Sequence, residues 1–144
     1  RSVDLTSNAW AYHGLACLYL KSDPEKAKQF IMEGMALQRE RLSYQKEGFK
    51  ILEKCGAYKE IDEEYKKQTA ENQKNGRIQY YYVAALAKLE RNEEAYHLLN
   101  DGDGIDVSDI REGDSDIQSI WESLHEKVYG EKGHLPHYYN FKVN

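Results

Sequence analysis

Three stretches of this chain repeat one another at a fixed interval, and that interval narrows the choice of fold more than any other feature. Glu25–Ile31, Lys59–Tyr65 and Glu93–Leu99 share a charged start and an apolar helical face, and Ala27, Ile61 and Ala95 stand 34 residues apart in succession. A unit that recurs at this length is one supersecondary element that cannot bury its apolar face alone, so copies must stack. The composition agrees: 40% apolar against 31% charged residues suits amphipathic helices with one wet face, and only 2 prolines interrupt them.

Each of these stretches follows a turn and an earlier helical stripe. Trp10, Gly14, Cys17 and Leu18 form the first stripe, and Ser22-Asp23-Pro24 breaks it, with Asp23 suited to cap and Pro24 to open a helix. Phe49, Ile51 and Leu52 precede Cys55-Gly56-Ala57, where Gly56 supplies the left-handed residue that ends a helix. Ile78, Tyr82, Ala85, Leu86 and Leu89 recur at helical spacing before Glu90-Arg91-Asn92. Turns are expected near Arg39 to Leu42 and at Asn75-Gly76. The glycines and acids of Asp101 to Asp106 disfavour a continued helix, and a last helix from Asp114 or Ser115 carries Ile117, Ile120, Trp121, Leu124 and Val128 on one face, closing at Gly130.

The 34-residue pattern resembles tetratricopeptide repeats. Against that family's helix-A pattern of an aromatic, Leu-Gly and Tyr, the first unit offers Trp10, His13-Gly14 and Cys17; Phe49 and Val83 replace the usual small residue, and Arg39, Gln73 and Val107 stand where a proline closes helix B. The resemblance implies an all-α fold, a tetratricopeptide-like right-handed α-solenoid of three helix pairs plus a C-terminal capping helix. Its expected segments are a linker or the end of an upstream segment at 1–8, repeats at about 9–41, 42–75 and 76–101, an acidic Gly-rich loop at 102–114, the capping helix at 115–130 and an extended aromatic tail at 131–144. A more specific resemblance rests on Val107 to Asp114, with Ile110-Arg111-Glu112-Gly113, and on Trp121, His125 and Asn140-Phe141-Lys142. This ending is similar to that of large bacterial proteins in which a tetratricopeptide array follows a domain of unknown function, itself similar to sugar-binding β-sandwiches of aldose epimerases and β-galactosidases. That resemblance implies a C-terminal piece of a larger protein and assigns no catalytic residue within 1–144.

Twenty Lys and Arg against 25 Asp and Glu leave −5, which argues against a polyanion-binding surface over the whole molecule. The longest apolar run, Tyr80 to Ala87, is eight residues and far short of the roughly 20 that cross a bilayer. The 144 residues suit one core. The start at Arg1, with neither Met nor a signal-like stretch, reads as a fragment of something longer. Cys17 and Cys55, each inside a helical pattern, read as buried free thiols of a reducing, cytoplasmic setting.

Candidate chemistry is sparse. Asp101, Asp103 and Glu112 match positions of a calcium loop, but Ile105 and Asp106 stand where that loop needs an oxygen ligand and a glycine, so the segment reads as a solvated loop. His134 and His137 lack the further ligands of a zinc site, and His125, one turn after Trp121, reads as a packing residue. No nucleophile with its base, metal motif or cofactor loop stands out, so no catalysis and no cofactor are expected of this segment. The helix-A offsets instead direct Leu15 and Tyr19, then Lys46, Lys50 and Lys54, then Arg77, Tyr80, Ala84 and Lys88 toward a concave groove, locally basic in an acidic protein. Ala11 and Leu15 replace the Lys and Asn of carboxylate-clamp members. These features point to a non-catalytic protein–protein interaction or scaffolding module that binds a protein, a peptide, its own aromatic tail or an upstream domain. The alternative is an accessory domain completing the substrate site of a carbohydrate-active enzyme, and an uncovered first helix would allow self-association.

Overall fold

The computed structural model describes residues 2–101, 104–105 and 117–130. Among them are eight helices and no strand: α1 (Ser2–Tyr19), α2 (Pro24–Leu37), α3 (Leu42–Lys54), α4 (Tyr58–Lys66), α5 (Ala70–Gln73), α6 (Gly76–Lys88), α7 (Asn92–Asn100) and α8 (Ile117–Tyr129). The protein is therefore all-α, and none of these helices is long and apolar enough to cross a membrane. The turn after α2 spans residues 38–41, and α1 begins at Ser2, inside the stretch read from sequence as a linker or the end of an upstream segment.

Local chemistry sets most boundaries. Asp23 caps α2, its Oδ1 accepting from the Lys26 amide at 3.2 Å, and Pro24 takes the first turn, where its missing N–H costs nothing. Asn75 caps α6, accepting from the Arg77 and Ile78 amides at 3.1 and 3.2 Å. α3 ends in a Schellman motif: Gly56 has φ 70°, the Ala57 amide reaches Leu52 O at 2.9 Å and the Gly56 amide Glu53 O at 2.9 Å. α6 ends the same way 34 residues later, with Arg91 N to Leu86 O at 2.9 Å and Glu90 N to Ala87 O at 3.1 Å. There the left-handed residue is Glu90 at φ 62°, a conformation that disfavours a side chain.

Length alone suggests a single core, but the chain divides into two compact units, Arg1–Asn72 and Gln73–Asn144. In the first, α1 packs on α2, α2 on α3 and α3 on α4, with α1 also touching α3. Ala9 and Ala16, seven residues apart on α1, are fully buried, as are Ala27, Ile31 and Met35 on α2 and Tyr44, Phe49 and Leu52 on α3. Small side chains bring the backbones close: Gly34 leaves room for the Tyr44 ring, whose hydroxyl donates to the Ala9 carbonyl. The stripe expected on α1 is not the buried one. Trp10 is 40% and Leu18 70% exposed, and Gly14 and Cys17 are exposed too. The Ala9–Ala16 face has the small side chains that let α2 approach, and Tyr12 and Tyr19, flanking it, lie against Phe30 at 6.1 and 5.8 Å.

In the second unit α6 packs on α7, and α8 covers both. Ile78, Val83, Ala85, Leu86, Ala95 and Leu99 are fully buried, and Trp121 and Leu124 bring the apolar face of α8 into this core.

Candidate functional site

The cationic residues singled out in the sequence fall on one helix of each unit. On α3, Lys46, Lys50 and Lys54 recur every fourth residue and share a face, opposite to buried Tyr44, Phe49, Ile51 and Leu52. Lys46 is half-buried; Lys50 and Lys54 are exposed and form no ion pair among the described residues. Elsewhere in this unit Lys28 pairs with Glu25 at 2.6 Å and Glu60 at 3.2 Å, Arg39 with Glu64 at 2.6 Å, Lys66 with Asp62 at 3.4 Å and Lys67 with Glu64 at 3.4 Å. Burial pushes the Glu53 carboxyl up from its ordinary value, and the Lys54 charge beside it pulls back. On α6, Arg77 and Tyr80 are half-buried and Lys88 is exposed, with Tyr80 tilted against Tyr81 at 5.7 Å. Lys88 makes no ion pair among the described residues. Of the first-unit positions, Leu15 is exposed, and Tyr19 is engaged by Phe30 and by Lys26, whose Nζ sits 4.8 Å from its ring centroid.

A buried amide hub fixes the pose of α3. Gln45 Nε2 donates to Met35 O at 3.0 Å and Gln38 O at 2.8 Å, adding a second donor to carbonyls at the end of α2 that also accept the Gln38 and Arg41 amides. Gln68 Nε2 donates to Gln45 Oε1 at 2.7 Å, and Asn72 Nδ2 to Gln68 Oε1 at 3.2 Å and Arg39 O at 3.3 Å. An open cleft of about 690 Å³ lies at this turn, lined by Ala36, Leu37, Gln38, Arg39, Glu40, Arg41 and Thr69. Its arginines are already engaged, Arg39 by buried Glu64 and Arg41 by Gln38 Oε1 at 3.0 Å, so the cleft reads as the outer wall of the hub. Hydrogen bonds that all find partners rigidify such a turn.

In the second unit the aromatic ring of α8 is anchored, not free. Trp121 Nε1 donates to Asn100 Oδ1 at 2.8 Å, Asn100 Nδ2 donates to Tyr96 O at 2.8 Å, and His125 stacks on Trp121 at 5.1 Å with 23° between planes. Tyr96 and Tyr129 close the cluster around His125 at 5.7 and 5.0 Å. This is a packing seam between α7 and α8.

The thiols correct a sequence expectation. Both are free, but Cys17 is exposed, because α1 turns its Ala9–Ala16 face inward; Cys55 is half-buried, and burial pushes its thiol up. Cys17 lies beside His13, and His13 beside Glu47, a grouping the sequence reading missed although 34 residues, one repeat, separate the last two. No three His, Cys, Asp or Glu side chains converge as a metal site among the described residues. Asp103, Glu112, His134, His137 and the aromatic tail lie outside the described residues, as do Ile110-Arg111-Glu112-Gly113. Comparison with protein-family models, curated proteins and solved structures finds no match to this chain.

Proposed function

We propose that the chain is a non-catalytic protein-interaction or scaffolding module whose helix pairs, α1–α2, α3–α4 and α6–α7, stack as a tetratricopeptide-like right-handed α-solenoid with α8 as its cap. The observation that carries this is burial recurring at the repeat interval: Ala27, Ile61 and Ala95, on α2, α4 and α7, are 0%, 1% and 0% exposed. A position that returns to the interior at the repeat interval supports reading the three segments as copies of one unit, and units of this kind stack. The paired helix ends at Gly56 and Glu90 support the same period.

Recognition is assigned to the basic faces, Lys46, Lys50 and Lys54 on α3 and Arg77, Tyr80 and Lys88 on α6, each suited to an acidic or polar extended segment of a protein partner. The two free thiols fit a reducing, cytoplasmic setting. A labelled Asp- and Glu-rich peptide, titrated by fluorescence anisotropy, tests the assignment. Binding is expected to weaken as salt shortens the screening length to about 10 Å at 0.1 M, and to vanish in Lys46→Glu/Lys50→Glu. Unchanged binding by that variant at low salt removes the α3 face from consideration.

A further inference from the structure

Helix α1 carries an exposed thiol with an imidazole one turn away, and the fold brings a carboxylate to the far side of that imidazole. Cys17 Sγ lies 4.0 Å from His13 Nδ1, and His13 Nε2 lies 3.3 Å from Glu47 Oε1 on α3. The order thiol, Nδ1, Nε2, carboxylate is the arrangement in which one imidazole nitrogen takes a proton from a nucleophile while the other is held by an orienting group. With its proton on Nε2, donated to Glu47, the ring presents the Nδ1 lone pair to the thiol. The ring is also held from its sides, by Trp10 edge-on at 5.2 Å and Tyr44 at 6.3 Å, so it is not free to swing away. The His13 side chain is 22% exposed and Cys17 is exposed, which leaves the sulfur open to small reagents.

We propose that Cys17 is a thiol-modification site, activated by His13 and positioned by Glu47, which exchanges with low-molecular-weight disulfides to form a mixed disulfide. In the step, the Cys17 proton passes to His13 Nδ1 as Sγ attacks one sulfur of the small disulfide. The new protein–small-thiol S–S bond forms as the old S–S bond breaks, and the departing thiolate takes the proton back from the imidazolium. The rise in oxidation state at Cys17 Sγ equals the fall at the sulfur that departs, the other sulfur of the small disulfide stays in the mixed disulfide unchanged, and no other reactant is consumed. Among the described residues no imidazole is hydrogen-bonded to Cys55, which is half-buried; burial pushes its thiol up, with the Lys28 charge pulling back.

The test treats the folded chain with the neutral probe bis(hydroxyethyl) disulfide and follows adduct formation on each cysteine by peptide mass spectrometry. Cys17 is expected to react first. Exposure alone would also give that order, so the deciding measurement is His13→Gln, which keeps the thiol exposed: it should slow Cys17 by about tenfold, less than the roughly 10²–10⁴ of an enclosed general base because the site is open to water. Cys55 should keep its rate. Glu47→Gln, a change on a different helix, should slow Cys17 by a smaller factor and shift the His13 ring nitrogen resonances that report the tautomer, which loss of packing alone would not do. A His13→Gln protein of unchanged helicity whose Cys17 reacts at the parent rate overturns the proposal, as does a Glu47→Gln protein in which neither rate nor ring nitrogen signals move.

Discussion

Gly34 is where the packing of the first unit is least forgiving, and Gly34→Ala measures it. A Cβ at this position of α2 would overlap Tyr44 Oη and lie 2.7 Å from Cζ and 3.1 Å from Cε1 of the same ring. Tyr44 cannot retreat easily, being fully buried, edge-on to Trp10 at 4.8 Å and tied through its hydroxyl to the Ala9 carbonyl. Overpacking of this kind costs about 1–3 kcal/mol, and loss of the Tyr44 hydrogen bond about 1 kcal/mol more. The gain in helix propensity from Gly to Ala offsets about 1 kcal/mol. The net loss is about 2 kcal/mol, which moves a urea midpoint down by about 1 M. Fluorescence of Trp10 in a Trp121→Phe background reads this transition from within the first unit. Gly14→Ala is the control, since a Cβ there meets nothing within 4 Å and the position is exposed; that variant gains up to about 1 kcal/mol. In a Tyr44→Phe background, where the overlapping oxygen is gone, the penalty of Gly34→Ala should shrink. A Gly34→Ala midpoint at or above the parent value, or one that tracks Gly14→Ala, would refute the close-approach argument.

Glu90→Gly should stabilise the chain by roughly 0.5–1 kcal/mol by relieving the left-handed conformation at φ 62°, and Gly56→Ala should do the reverse; opposite midpoint shifts in denaturant check the pair. Asn75→Ala removes the acceptor of two α6 amides and should cost about 1 kcal/mol, whereas Asn75→Gly costs a few tenths, again by denaturation. Burial pushes the Tyr44 phenol up to about 12, from 10.0. Between those values the unfolded chain has lost this proton and the folded chain retains it, so stability is complete below pH 10 and falls as pH rises toward 12. Tyr44→Phe should lose that part of the alkaline slope in pH-dependent melts. Gln68→Leu strips Gln45 Oε1 of its partner, leaves Asn72 Nδ2 with the Arg39 carbonyl alone, and should cost about 1–3 kcal/mol by denaturant titration.

The sequence by itself determined that the chain is helical and where most helices stop and start. Asp23-Pro24, Gly56 and Asn75 act through their own backbones and nearest amides, so their effect is local and readable in one dimension. The 34-residue recurrence of Ala27, Ile61 and Ala95 was equally legible, because identical burial needs similar residues. Charge along α3 was legible too, since Lys46, Lys50 and Lys54 follow from helical periodicity alone. Tertiary structure decided which face of α1 is buried. Its apolar residues ring the helix, so no sequence stripe is favoured, and the choice fell to the alanine face that lets α2 approach and to the Tyr12 and Tyr19 rings on Phe30. That choice turned Cys17 outward and brought Glu47 to His13, an encounter between residues on separate helices that nearest-neighbour chemistry does not encode. It also decided that Glu90 would hold a conformation its own side chain disfavours, because helix α6 must end there for α7 to pack on it.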